Sequence, residues 1–141
     1  MNLKKEVKNL RGETIQMSFP SNADIEKVKK EKGIETVTVK DLPRETIENV
    51  LINCLANYVV EDKKQVFAIH KAADIVMIGQ GKEDVEVPES VRNFLVEFVL
   101  PASTIRVEKD ILTDGKTDKK EKGMYAAWII AQVYTELGVN E

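Results

Sequence analysis

An α+β fold, with a small antiparallel N-terminal β-sheet or hairpin packed on a bundle of about four helices, is predicted by a change of hydrophobic period near residue 40. Before it, apolar residues alternate: Ile15, Met17 and Phe19 share one face, and Glu35-Thr36-Val37-Thr38-Val39 repeats the pattern with β-branched residues. After it, Ile47, Val50, Leu51, Cys54, Leu55, Tyr58 and Val59 recur at the spacing of one helical face. A chain of 141 residues with 43% hydrophobic residues suits one domain, 1–141. Residues 1–40 read as mainly extended, and 41–141 as mainly helical with a charged loop at 113–123.

In chain order, Val7 and Leu10 lead into Arg11-Gly12-Glu13, where Gly12 supplies the turn of a hairpin whose second arm is Thr14–Phe19. Pro20-Ser21-Asn22 ends it, and Asp24–Lys32 reads as a short exposed helix stopped by Gly33. The first long helix starts at Asp41, with Pro43 in its first turn, where a missing N–H costs nothing. Asp62-Lys63-Lys64-Gln65 has capping-box spacing and opens a second helix with Val66, Ile69, Ala73, Val76 and Met77 inside. Phe67, Ile75 and Ile78 widen that stripe, and Gly79 ends it. Pro88-Glu89-Ser90 opens a third helix with Val91, Phe94, Leu95, Phe98 and Val99 on its apolar face, and Pro101 stops it. The last helix, Met124–Leu137, is apolar nearly all round, so Tyr125, Trp128 and Tyr134 read as core.

The chemistry-bearing residues are few. His70 and Cys54 are single, each on a helical pattern, and neither has a partner in sequence that would complete a catalytic or metal site. Cys54 reads as a small buried hydrophobe. Between 110 and 121, Asp110, Asp114, Gly115, Asp118 and Glu121 fall at calcium-loop positions, but Leu112 stands where an oxygen ligand is required. Gly115-Lys116-Thr117 ends like a phosphate-binding loop, yet Asp110 occupies the place of its first glycine. No catalytic residue, metal or cofactor is expected.

The net charge of −3 divides into +3 over residues 1–40 and −6 over the rest. Lys27, Lys29, Lys30 and Lys32 are the candidate nucleic-acid contacts, although Glu26, Glu31 and Glu35 interrupt them. Binding to nucleic acid is expected to be weak at most, since tight binders offer a continuous basic face. The opening Met1–Glu6 lacks the apolar run of a signal peptide, and no stretch is long and apolar enough to cross a bilayer, so the expectation is the cytoplasm with no membrane partner.

Three segments carry a resemblance. Val37-Thr38-Val39-Lys40-Asp41 leads into Val50-Leu51-Ile52-Asn53-Cys54-Leu55, Val85-Glu86-Val87-Pro88-Glu89-Ser90-Val91 leads into a helix, and Trp128-Ile129-Ile130-Ala131-Gln132-Val133-Tyr134-Thr135-Glu136-Leu137 closes the chain. In that order, over roughly 36–138, the chain resembles short uncharacterised bacteriophage and prophage proteins. The resemblance implies a phage or prophage origin, in a host cell, and carries over no catalytic residue. The expectation is a non-enzymatic phage accessory protein that binds a phage or host protein or associates with itself. The alternative is a phage-encoded transcription or nucleic-acid modulator acting through its basic N-terminal region.

Overall fold

The computed structural model describes residues 1–109 and 118–139, with side chains up to 105 and from 123 onward. Helix α1 (Asn22–Lys32) begins at Ser21, whose hydroxyl accepts the Asp24 amide while the Asp24 carboxylate accepts the Ser21 amide. It stops at Gly33, whose φ of 64° lies in the left-handed region that a side chain disfavours. A 3₁₀ turn, Val39–Asp41, follows. Helix α2 (Ile47–Asn57) begins at Thr46, and its inner face is Ile47, Val50, Leu51, Cys54 and Leu55, as the periodicity requires. Helix α3 (Lys63–Ile78) begins at Asp62, whose carboxylate accepts the Gln65 amide, and ends at Gly79.

The next rod is made of α4 (Glu89–Phe94), a π-helical stretch (Leu95–Val99) and α5 (Leu100–Thr104). Pro101 therefore does not stop the helix. The Leu100 amide donates to Leu95 five residues back, and this wider turn comes just before the residue that has no donor. The Tyr134 hydroxyl donates to the carbonyl of Val96 (3.4 Å), which a π-type donor at position 101 would otherwise use. The extra residue rotates the rod by about 100°. Leu100 turns inward as a result while Val99 stays inside as expected, and Phe98, expected inside, is 43% exposed.

The N-terminal sheet is absent, so the α+β class is corrected to a mainly helical fold. Residues 43–46 run between the two arms of the expected hairpin and take their hydrogen bonds. The Val7 amide donates to Glu45 and the Ile47 amide to Lys5, while the Glu45 amide donates to Ile15 and the Met17 amide to Pro43. Only isolated bridges result, at Glu6–Thr46, Lys8–Thr14 and Gln16–Arg44. No ladder can grow, because Thr46 turns at once into α2 and Pro20 ends the second arm. The stretch at 35–39 has no neighbour to pair with. Val39 is exposed there, and the Asp41 carboxylate folds back on the Thr38 amide and hydroxyl instead of opening α2. Strand propensity without a partner strand decides little.

Among the described residues the one ladder is a hairpin of β1 (Ile105–Lys109) and β2 (Asp118–Lys122), antiparallel with Ile105 opposite Lys122. Strand β2 takes in residues 118–122 of the charged loop expected at 113–123, and 113–117 lie outside the described residues. The calcium and phosphate-loop readings of 110–121 fall mainly on residues outside those described.

Helix α6 (Ala127–Glu136) buries Ile129, Ile130 and Val133 against α2 and α5. Tyr125, just before it, heads the largest fully buried side chains, whereas Trp128 and Tyr134 are only partly buried against the same core. Gln65, Ala72 and Val76 form the buried side of α3, with Ile69 partly buried. Val66 and Met77, expected inside, lie outside with Phe67 and Ile78.

Candidate functional site

Among the described residues an open groove of about 810 Å³ lies between the end of α2, α5 and the chain at 123–124, roughly twice the volume of another of 420 Å³. Sites for small ligands and for single protruding side chains usually fall between about 300 and 1,000 Å³. Phe19, Val59, Val99, Ala102, Ile105 and Met124 supply its apolar wall, and Tyr58, Asn57 and Glu61 its polar rim. Each is placed by a local cause. Tyr58 leaves α2 at its last turn and rests edge-on against Phe94, with ring centres 5.7 Å apart. Its hydroxyl donates to Gln65, which also accepts the Glu61 amide, so the link between α2 and α3 is pinned to the first turn of α3. Phe19 meets Tyr125 edge to face at 5.3 Å.

Gly123 makes the end of the groove possible. Its amide donates to Thr104 and the Tyr125 amide to Ser103, so the chain runs flush against the end of α5. A Cβ at Gly123 would lie 2.6 Å from the Thr104 carbonyl carbon, a backbone clash that no side-chain rotation relieves.

Cys54 and Ser103 also line the groove, and with Glu45, Asn53 and Tyr125 they form a polar group. Glu45 is fully buried, and its carboxylate accepts the amides of Ser18 (3.0 Å) and Thr46 (3.3 Å). Burial raises its pKa above the ordinary value, and those two amides offset only part of the rise. The Asn53 amide donates to the Tyr125 hydroxyl at 2.9 Å. Burial, together with the nearby Glu45 carboxylate and the Cys54 thiol, drives the Tyr125 phenol far above its usual range despite that bond. Burial likewise pushes the Cys54 thiol up to about 11, although the Ser103 hydroxyl partly opposes it. The thiolate is the nucleophile and the metal ligand, so burial disfavours the reactive form of Cys54 at neutral pH.

The sequence-derived candidates are not brought together. Cys54 lies on the inner face of α2, while His70 sits on the outer face of α3 beside Asp74 at 3.5 Å. The four lysines belong to one helix of 11 residues, and at about 100° per residue they fall as two pairs, Lys27 with Lys30 and Lys29 with Lys32, on nearly opposite sides. Three have carboxylate neighbours: Lys27 faces Glu31, Lys29 faces Glu26 and Lys32 faces Asp41. No group of three or more His, Cys, Asp or Glu able to hold a metal occurs among the described residues. No helix among them is long and apolar enough to cross a membrane.

The groove itself is not legible in the sequence, which marks Phe19, Cys54, Tyr58, Val59 and Val99 on separate apolar faces without bringing them together. Its wall draws on residues up to 105 positions apart, from Phe19 to Met124. Gly123, at the end of a charged run, is the one local signal of a close backbone approach. Compared with family models, curated proteins and solved structures, the chain matches none.

Proposed function

We propose that the protein is a non-enzymatic binding module and that the groove between α2 and α5 receives an apolar segment of another protein. The observation that carries this reading is the groove's composition: Phe19, Tyr58 and Met124 around a wall of small aliphatic residues. Aromatic residues and methionine are enriched at protein docking sites, the aromatics burying much surface at small entropic cost and methionine adapting its shape to the partner. The acidic rim at Glu61 favours a segment with a basic or amide side chain beside its apolar anchor. Burial of the Cys54 thiol, which disfavours its thiolate, supports binding over covalent chemistry at this site. The phage or prophage origin implied by the resemblance makes a phage or host protein the expected partner.

The test uses Ala102→Trp, which fills the groove from an exposed position on α5. Proteins captured from host lysate by the native chain are purified and titrated against both forms. A partner whose affinity falls about tenfold or more with the variant, at unchanged melting temperature, supports the groove as the docking site. Equal binding by both forms overturns it.

A further inference from the structure

The outer face of α3 is the second unusual surface. Val66 and Phe67 at its start and Met77 and Ile78 at its end are 50%, 64%, 55% and 72% exposed. With His70, Lys71 and Asp74 they span an arc of about 140° opposite the buried Gln65–Ala72–Val76 side. An apolar arc turned away from the core on a helix of 16 residues calls for a partner.

The order of residues along this face identifies that partner. One stripe reads Phe67, Lys71, Asp74, Ile78, at steps of four, three and four. Reversed about the point between Ala72 and Ala73, the stripe lays Phe67 on Ile78 and Lys71 on Asp74. The neighbouring stripe, Val66, His70, Ala73, Met77, is symmetric about almost the same point, with Val66 opposite Met77. A face whose apolar ends match under reversal, and whose central charges become opposite, is complementary to itself under a two-fold axis. Lys63 and Lys64 add to this. They occupy the first turn of α3, where the helix's own dipole disfavours cations, and an antiparallel copy would place its C-terminal carbonyls beside them.

We propose that α3 pairs antiparallel with α3 of a second copy of this chain, with Phe67 packed against the partner's Ile78 and Lys71 paired with the partner's Asp74. Each contact occurs twice about the axis. The seam is one helix pair about 24 Å long. It lies at the small end of stable interfaces, so the dimer forms and dissociates with concentration. The inference is independent of the groove, which lies around α2 and α5.

The experiment is sedimentation velocity on the full chain up to about 1 mM, with circular dichroism to confirm folding. The expected result is a mass that rises from 15.9 kDa towards twice that value. Phe67→Glu, at an exposed position, holds it at 15.9 kDa throughout with unchanged melting temperature. Lys71→Glu and Asp74→Lys each weaken association about fivefold or more, because each replaces two attractive pairs by two repulsive ones. The double variant restores the pairing with charges exchanged, to within about twofold of the native chain. A native chain that stays monomeric overturns the proposal, as does a dimer indifferent to Phe67→Glu. Failure of the double variant to recover overturns the antiparallel register.

Discussion

Glu45 shows what a single side chain settles in this protein. It stands where residues 43–46 pass between the two N-terminal arms, and its carboxylate holds the Ser18 amide while its backbone amide holds Ile15. The pair of amides fixes the position of the carboxylate, yet burial still penalises its charge. Its folded pKa is raised, so its contribution to stability is fully present below the unfolded value and declines as pH rises through the folded one. The native chain should therefore gain stability relative to Glu45→Gln as pH falls from 7 towards the ordinary 4.5. Parallel denaturation curves for the two forms at every pH would show that the carboxyl is not desolvated. Glu136 behaves oppositely. Burial pushes its pKa up, but the Asn2 amide and the Lys5 ammonium (3.1 Å) outweigh burial and leave it lowered. Its stabilisation is present at neutral pH and lost as pH falls below about 4.5. Glu136→Gln should accordingly destabilise at pH 7 and converge with the native chain in acid, as read from urea midpoints.

Gly123 belongs to the same scale but acts through space rather than charge. Gly123→Ala should destabilise by roughly 1–3 kcal/mol, the usual cost of forcing atoms into a filled place. Thermal denaturation checks it. A variant as stable as the native chain would mean that the 103–105 backbone yields easily.

Among the elements, the rod from Glu89 to Thr104 is the most instructive. A proline in a regular helix interior costs about 3 kcal/mol, so its removal should be strongly stabilising. The π-helical stretch ahead of Pro101 already accommodates the ring, and Tyr134 already partners Val96. Pro101→Ala should therefore change stability by less than about 1 kcal/mol. A gain near 3 kcal/mol in chemical denaturation would show that strain persists. Tyr134→Phe should cost about 0.5–1.5 kcal/mol, the net worth of one hydrogen bond. Helix α3 starts where its sequence signal places it, because Asp62 satisfies the Gln65 amide locally, whereas α2 starts at Thr46, five residues after the expected Asp41, and α1 at Ser21, which the sequence marks only as a break. The face that α3 buries does not follow. Gln65 and Ala72 go inside because their small or hydrogen-bonding side chains fit against α2 and the 58–61 link, which leaves Phe67 to the outside.

In the whole molecule, the N-terminal arms, α2, α3, the α4–α5 rod and α6 share one core, and Tyr125 contributes its largest fully buried side chain. Tyr125→Ala should cost about 3–5 kcal/mol, as large core truncations do. Trp128→Ala should cost less, since Trp128 is only partly buried. Equal losses for the two in thermal melts would contradict that difference. The sequence by itself determined the helices whose signals are local: the Gly33 stop of α1, the cap of α3, the apolar face of α2, and the apolar excess of α6. Those signals act between residues three or four apart, which a chain carries wherever it goes. Only the tertiary structure decided that residues 43–46 would replace a hairpin, that Pro101 would be passed by a π turn, and that a groove would open above Cys54. Each depends on which distant segment supplies a hydrogen bond or fills a space, and hydrophobic period records that a residue prefers burial without recording its neighbour.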